Sequence, residues 1–157
     1  TVFMAEAERQ ISAPSHIFLQ AGVGGLAGAA AAMARKIWGD APVIVVVEPS
    51  HAPALHGCIQ AGNFVAAKGP GSAMGRLDCL EASLIALKGL AKDADVFALI
   101  SEEEGQAGAD YAAAHQMEST ASGAAGLAAL LASPAHRAAL KLDANSHVLV
   151  ILSEGPE

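Results

Sequence analysis

The residues best suited to chemistry in this sequence are glycines. Gln20-Ala21-Gly22-Val23-Gly24-Gly25-Leu26 lies between a strand-like run, His16–Gln20, and an alanine-rich helical run that continues to Trp38 or Gly39. Glycines at a strand-to-helix turn let the backbone come close to a ligand, and their N–H groups join the helix N-terminus in forming an anion site. Phosphate is the natural occupant. A tight turn whose glycines serve only packing is the plain alternative, but a preceding strand, a glycine cluster, a helix and a further strand coincide here, which favours phosphate. The spacing Gly22-x-Gly24-x-x-x-Gly28, with Glu48 ending the next strand, also satisfies a loose dinucleotide fingerprint in which Glu48 would hold a ribose hydroxyl. An NAD-binding Rossmann domain of an oxidoreductase is therefore a competing reading, and a glycine pattern alone does not separate the two.

Other reactive residue types point to less. The six histidines form no His-Glu-x-x-His motif, and His51 and His56 are not spaced for one helix face, so no metal site is expected. Cys58 and Cys79 have neither metal nor disulfide-framework spacing and read as thiols of a cytoplasmic protein. Their segments can approach one another, although two ordinary packed or surface cysteines is the simpler reading. A net charge of -7 with no basic cluster argues against nucleic acid. Ala21 to Ala34, the longest Ala/Gly-rich stretch, is too short and too glycine-rich to span a bilayer, so no membrane association is expected.

The elements that must position the glycine turn follow from periodicity. Helix-like and strand-like stretches alternate with short connections, the habit of a parallel sheet covered by helices. Helices are expected over Val2–Gln10, from the glycine turn to about Trp38, over Ala54–Ala61, over Leu80–Lys92 and from Ser101 to about His115. Ser101 and Glu104 have capping-box spacing. Ser122-Gly123-Ala124 starts another helix, and Ser133-Pro134 a further one with Ser133 as cap. Strands are expected at His16–Gln20, Val43–Val47, Asn63–Ala67, Asp95–Ile100 and His147–Leu152. Val43–Val47 is almost wholly β-branched, as a strand covered on both faces should be. The 157 residues make a single α/β domain, 1–157, with a three-layer parallel sheet and helices on both faces.

Several segments resemble one family. His16–Gly28 closely resembles the phosphate loop of diaminopropionate ammonia-lyases, pyridoxal 5′-phosphate enzymes of fold-type II that are related to serine and threonine dehydratases and to tryptophan synthase β chains. Val45-Val46-Val47-Glu48-Pro49 is similar to the Val-Glu-Pro that ends the next strand in that group. Gly75–Glu81 resembles the lyases' Gly-Leu-Ala-Cys-Gly-Glu stretch. Ser122–Leu127 resembles the Ser-Gly-Ala helix start beside the cofactor, and Val148–Gly155 the last strand with its hydroxyl turn. These segments fall in family order along essentially the whole chain. Ala121 departs from the pattern, standing where the family often has an acidic residue.

The resemblance implies a Rossmann-like large domain that binds pyridoxal 5′-phosphate. It places the phosphate on the backbone of Gly22, Val23, Gly24, Gly25 and Leu26, the ring beside Ser122 and Gly123, and the pyridine nitrogen on Ser153. It puts Asp78 and Glu81 near the substrate mouth. A hydroxyl rather than a carboxylate at the pyridine nitrogen leaves that nitrogen largely unprotonated, which suits expulsion of a β-substituent. The implied reaction is α,β-elimination of 2,3-diaminopropionate to pyruvate and ammonia, with an amino-acid substrate and a homodimeric enzyme; a serine/threonine dehydratase or cysteine synthase-like activity uses the same cradle. The Schiff-base lysine of the family lies in a serine- and lysine-containing motif that none of Lys36, Lys68, Lys88, Lys92 and Lys141 matches. No catalytic residue is therefore expected in this chain. It reads as the carboxy-terminal half of a larger enzyme, inactive alone.

Overall fold

Two strands here are largely apolar because both of their faces are covered. The computed structural model describes residues 1–155, apart from the side chains of residues 135 and 136. Its elements are α1 (Val2–Gln10), β1 (His16–Gln20), α2 (Gly25–Trp38), β2 (Val43–Pro49), α3 (Ala54–Ala61), α4 (Leu84–Asp93), β3 (Val96–Ile100), α5 (Glu102–Ala114), α6 (Ala125–Ala132), a 3-10 turn (Ser133–His136), α7 (Arg137–Leu140) and β4 (Val148–Val150). The strands form one parallel sheet in the order β3-β2-β1-β4. All of β1 is buried, as is β2 from Ile44 onward. The arrangement is the three-layer α/β class that the alternating pattern predicts.

Strand alternation divides the core in two. Ile17, Leu19, Ile44 and Val46 face α1, α2, α3 and α4, packing with Met4, Ala30, Leu55 and Leu90. Phe18, Val45 and Val47 face the opposite way, against Ala125, Ala128 and Ala129 of α6 and Leu140 of α7. Small helix residues let these layers approach closely. Ala27, Ala30, Ala31 and Ala34 are the buried positions of α2.

The order of strands locates the site. From β1 the chain crosses to β2 on one side, while β4 returns to pair with β1 on the other, His16 opposite Val148. The carboxyl ends of β1 and β4 thus leave the sheet side by side where connections diverge, the crevice in which open α/β sheets bind ligands.

Four expectations need correction. Asn63–Ala67 is not a strand: Val65 uses its N–H and C=O on the Cys58 thiol, and the Ala67 amide bonds the Leu80 carbonyl, so this run has no place in the sheet. The helix expected from Leu80 begins at Leu84, because the Ser83 hydroxyl accepts from the Ala86 amide and fixes the start there. The Ser122-Gly123-Ala124 start is likewise late, with α6 beginning at Ala125. Ser133 does not cap a new helix; it follows α6 directly and donates its hydroxyl back to the Leu130 carbonyl at 2.6 Å. The capping box of Ser101 and Glu104 is present in full.

One substitution should have opposite effects at two helical glycines. A Cβ at Gly108 of α5 would come 2.6 Å from Ala128 Cβ and 2.9 Å from its Cα, whereas one at Gly89 of α4 meets nothing within 4 Å. Gly108→Ala should destabilise by ~1–3 kcal/mol through overpacking, and Gly89→Ala should stabilise by ~0.5–1 kcal/mol through helix propensity. Urea unfolding of both variants checks the pair, and the same sign at both positions would contradict the packing described.

Candidate functional site

The glycine turn is held open by contacts beneath it. Gly24 adopts φ +96°, a left-handed conformation that suits glycine, and it caps α2 without a side-chain hydrogen bond. A Cβ at Gly22 would sit 2.9 Å from the Arg76 carbonyl oxygen and 3.0 Å from Cys79 Sγ, so the 76–79 segment packs directly on the turn. The Val23 carbonyl accepts from the Ser83 amide at 2.9 Å, anchoring the turn to α4. The amides of Val23, Gly24 and Gly25 meet no acceptor among the described residues. A Cβ at Gly25 would meet nothing within 4 Å. The turn therefore presents free donors to open space at the positive end of a 14-residue helix.

That space is a cleft of ≈ 280 Å³ lined by Gln20 to Leu26, Arg76, Leu77, Cys79, Ser153 and Glu154. Five glycine-turn positions, Gly22, Val23, Gly24, Gly25 and Leu26, thus share one cleft with Ser153, a residue 127 positions beyond Leu26 in the chain (153 − 26). Ser122 lines an adjoining cleft with Ala121 and Thr120, and the two clefts share Arg76 and Glu154. Gly123 lies between them. Its carbonyl accepts from Gln20 Nε2 at 2.9 Å and from the Ser153 amide at 3.4 Å, and a Cβ there would come 3.0 Å from Glu154 N. Ser122 is not a helix cap: its hydroxyl accepts from the Arg76 amide at 3.3 Å.

Three residues at the site had no assigned role in the sequence reading. Gln20 is buried, and its amide nitrogen also reaches the Ile151 carbonyl and Ser153 Oγ. An amide at the end of an otherwise largely apolar strand was a signal in itself. Arg76 pairs with Glu154 at 3.7 Å, and Glu154 also accepts from Thr120 Oγ1 at 2.5 Å; no sequence pattern marks either residue. Cys79 lines the cleft, while Cys58 is occupied with Val65, and both thiols are free. Asp78 accepts from the Ser72 amide and Glu81 is exposed; neither lines the two clefts. All five lysines are exposed and none lines the cleft. No cluster of metal-binding side chains occurs among the described residues, and no helix there is long and apolar enough to cross a membrane.

Glu48 decides against the dinucleotide reading. Its carboxylate is fully buried, and its two oxygens accept from the Leu55 and His56 amides at 2.7 Å each, capping α3. No ribose can reach it. Burial pushes its carboxyl up to about 7, against the opposing pull of the two amides.

Residues 2–154 match the family model described as pyridoxal-phosphate dependent enzyme. No curated protein sequence matches the chain. Among solved structures, the chain is similar to diaminopropionate ammonia lyase from Escherichia coli, with 25% identity and a TM-score of 0.80 over 98% of this chain and 42% of that one. It is similar to a threonine deaminase from T.th., with 22% identity and a TM-score of 0.82 over 99% of this chain and 54% of that one. A fungal L-serine ammonia-lyase from Rhizomucor miehei gives 21% identity and a TM-score of 0.85 over 98% and 50%. The chain spans about half the length of these relatives.

The buried carboxyl has a consequence for stability. Glu48 binds its proton more tightly folded than unfolded, so between pH 4.5 and about 7 folding takes up a proton. Its stabilising contribution is present below pH 4.5 and is lost as pH rises through about 7. The unfolding free energy of the wild type minus that of Glu48→Gln should therefore fall between about pH 5 and about pH 8. Urea titrations across that range measure it; a constant difference contradicts the assignment.

Proposed function

Because the chain belongs to the pyridoxal-phosphate dependent enzyme family, we propose that it is the cofactor-binding part of an ammonia-lyase acting on 2,3-diaminopropionate. The products are pyruvate and two molecules of ammonia. The observation that carries this reading is the single cleft lined both by Val23, Gly24 and Gly25, whose amides are unpaired among the described residues, and by Ser153.

The residues present fit the cofactor. A phosphate needs several donors, which a glycine turn on a helix N-terminus offers, and Glu154, the carboxylate that lines the cleft, is engaged by Arg76 and Thr120. The backbone of Gly22, Val23, Gly24, Gly25 and Leu26 binds the phosphate, and the exposed Val23 and Leu26 side chains border the entrance. Ser153 would hold the ring through its nitrogen, with Ser122 and Gly123 beside it. When bound, the cofactor supplies the electron sink for the Cα–H bond that breaks during elimination. None of the five lysines lines the cleft or has the family's serine- and lysine-containing context, so a lysine outside these 157 residues would move the proton at Cα, and this chain alone is inactive.

The lyase assignment draws support from the glycine-turn and Gly75–Glu81 resemblances together with the Escherichia coli lyase likeness. A second reading, a serine or threonine dehydratase, draws on the fold likeness to threonine deaminase and L-serine ammonia-lyase. Assaying the lysine-bearing parent with diaminopropionate, serine and threonine separates them. Preference for diaminopropionate supports the first reading, preference for a hydroxy amino acid the second, and retention of NAD in place of a pyridoxal phosphate sinks both.

A glycine substitution isolates the cradle from the fold. Gly25→Ala places its methyl in open space at the first position of a helix, so stability should be unchanged or raised. Affinity for pyridoxine 5′-phosphate should fall about tenfold or more, because the methyl obstructs approach to charge-assisted amide contacts. Calorimetric titration beside thermal melting tests this, and unchanged affinity would remove the turn from the phosphate site.

A further inference from the structure

The amide of Gln20 is oriented without ambiguity by its neighbours. Its nitrogen lies 2.9 Å from the Gly123 carbonyl, 2.9 Å from the Ile151 carbonyl and 3.0 Å from Ser153 Oγ. Carbonyl oxygens only accept, so the nitrogen and not the oxygen must face them; a flipped amide would set three oxygens against one another. A carboxamide nitrogen only donates. Its two protons are shared among the three contacts, Ser153 Oγ can only be the accepting side of the one at 3.0 Å, and the Ser153 proton points away from Gln20. No acceptor for that proton is found among the described residues, and Ser153 lines the cleft. Gln20 Oε1, at the other end of the amide, is buried with no partner. The fold thus tolerates an unsatisfied acceptor while the nitrogen keeps its place.

We infer that Gln20 is a positioning residue that fixes the Ser153 hydroxyl as a hydrogen-bond donor into the cleft, so that the cleft selects a ring nitrogen able to accept and disfavours a protonated one. This rests on the proposed cofactor site and adds to it the residue that sets the polarity of the Ser153 contact. The contact from Gln20 occupies one lone pair of Ser153 Oγ, so donation to a ring nitrogen gives the Ser153 proton its acceptor, whereas a ring N–H would leave that proton without one among the described residues.

The test compares two ligands that differ at one atom: pyridoxine 5′-phosphate and its 1-deaza analogue, in which the ring nitrogen is a C–H. Calorimetric titrations use the wild type, Gln20→Met, Ser153→Ala and the double variant, with circular dichroism as a check on folding. Gln20→Met should weaken pyridoxine 5′-phosphate about fivefold to tenfold while changing the deaza analogue by less than about twofold. The double variant should bind no more weakly than Ser153→Ala, since Gln20 acts through that hydroxyl. Equal losses for both ligands, or additive losses in the double variant, mean that Gln20 merely supports the fold and overturn the inference alone. Should Gln20→Met not fold, whichever of Gln20→Leu and Gln20→Asn folds is titrated with the same two ligands: a loss confined to pyridoxine 5′-phosphate supports the inference, and equal losses overturn it. Failure of the folded wild type to bind either ligand overturns the proposed function and the inference with it.

Discussion

A buried primary amide at the carboxyl end of β1 ties together segments that are far apart in the chain. Gln20 reaches Gly123 across 103 residues, Ile151 across 131 and Ser153 across 133. One of the carbonyls it holds lies just before α6 and also accepts from the Ser153 amide at 3.4 Å; the other lies where β4 leaves the sheet. The glycine turn, the Ser122–Ala124 segment and the hydroxyl at position 153 meet at this bridge. With it they bound one crevice, at the place where parallel strands diverge.

The same crevice depends on how near backbone can come to backbone. At Gly22, Gly123 and Gly126 an added methyl would lie within about 3 Å of a main-chain atom or of Ser119 Oγ. Each of these contacts joins the crevice to a different support: the 76–79 segment, the end of β4 and the Phe18 carbonyl in the middle of β1. Glu48 works on the other face, where its two oxygens hold the start of α3 and leave nothing for a ligand. The acid that the glycine spacing offered as a sugar-binding group is thus a structural cap. Its neighbours in sequence look identical under either role; only burial separates them.

Much of the fold was legible because the period of apolar residues changes cleanly from two to helical and back. β1, α1 and α3 have the predicted bounds, and the Ser101–Glu104 capping box lies where its spacing put it. The misjudged elements share a cause. Asn63–Ala67 has strand composition but its hydrogen bonds go to a thiol and a loop carbonyl, and Ser83 overrides the earlier helical periodicity from Leu80. Both are tertiary decisions that local propensity cannot contain. In the site, the glycine turn was marked by residue type and Ser153 by the family resemblance alone, whereas Arg76 and Glu154 were given no role. Their pairing joins a loop and a strand end 78 residues apart (154 − 76), with no local pattern to mark it.

A grip made from main-chain amides has an evolutionary corollary. Every amino acid except proline carries the same N–H, so the side chains at positions 23 and 26, both outward-facing, can drift without erasing the donors. What must persist is shape: a left-handed turn at 24 and absence of bulk at 22. Ancestry in such a molecule is written in geometry and fades from the letters first, in keeping with folds that superpose at TM-scores of 0.80 to 0.85 while three residues in four differ or more.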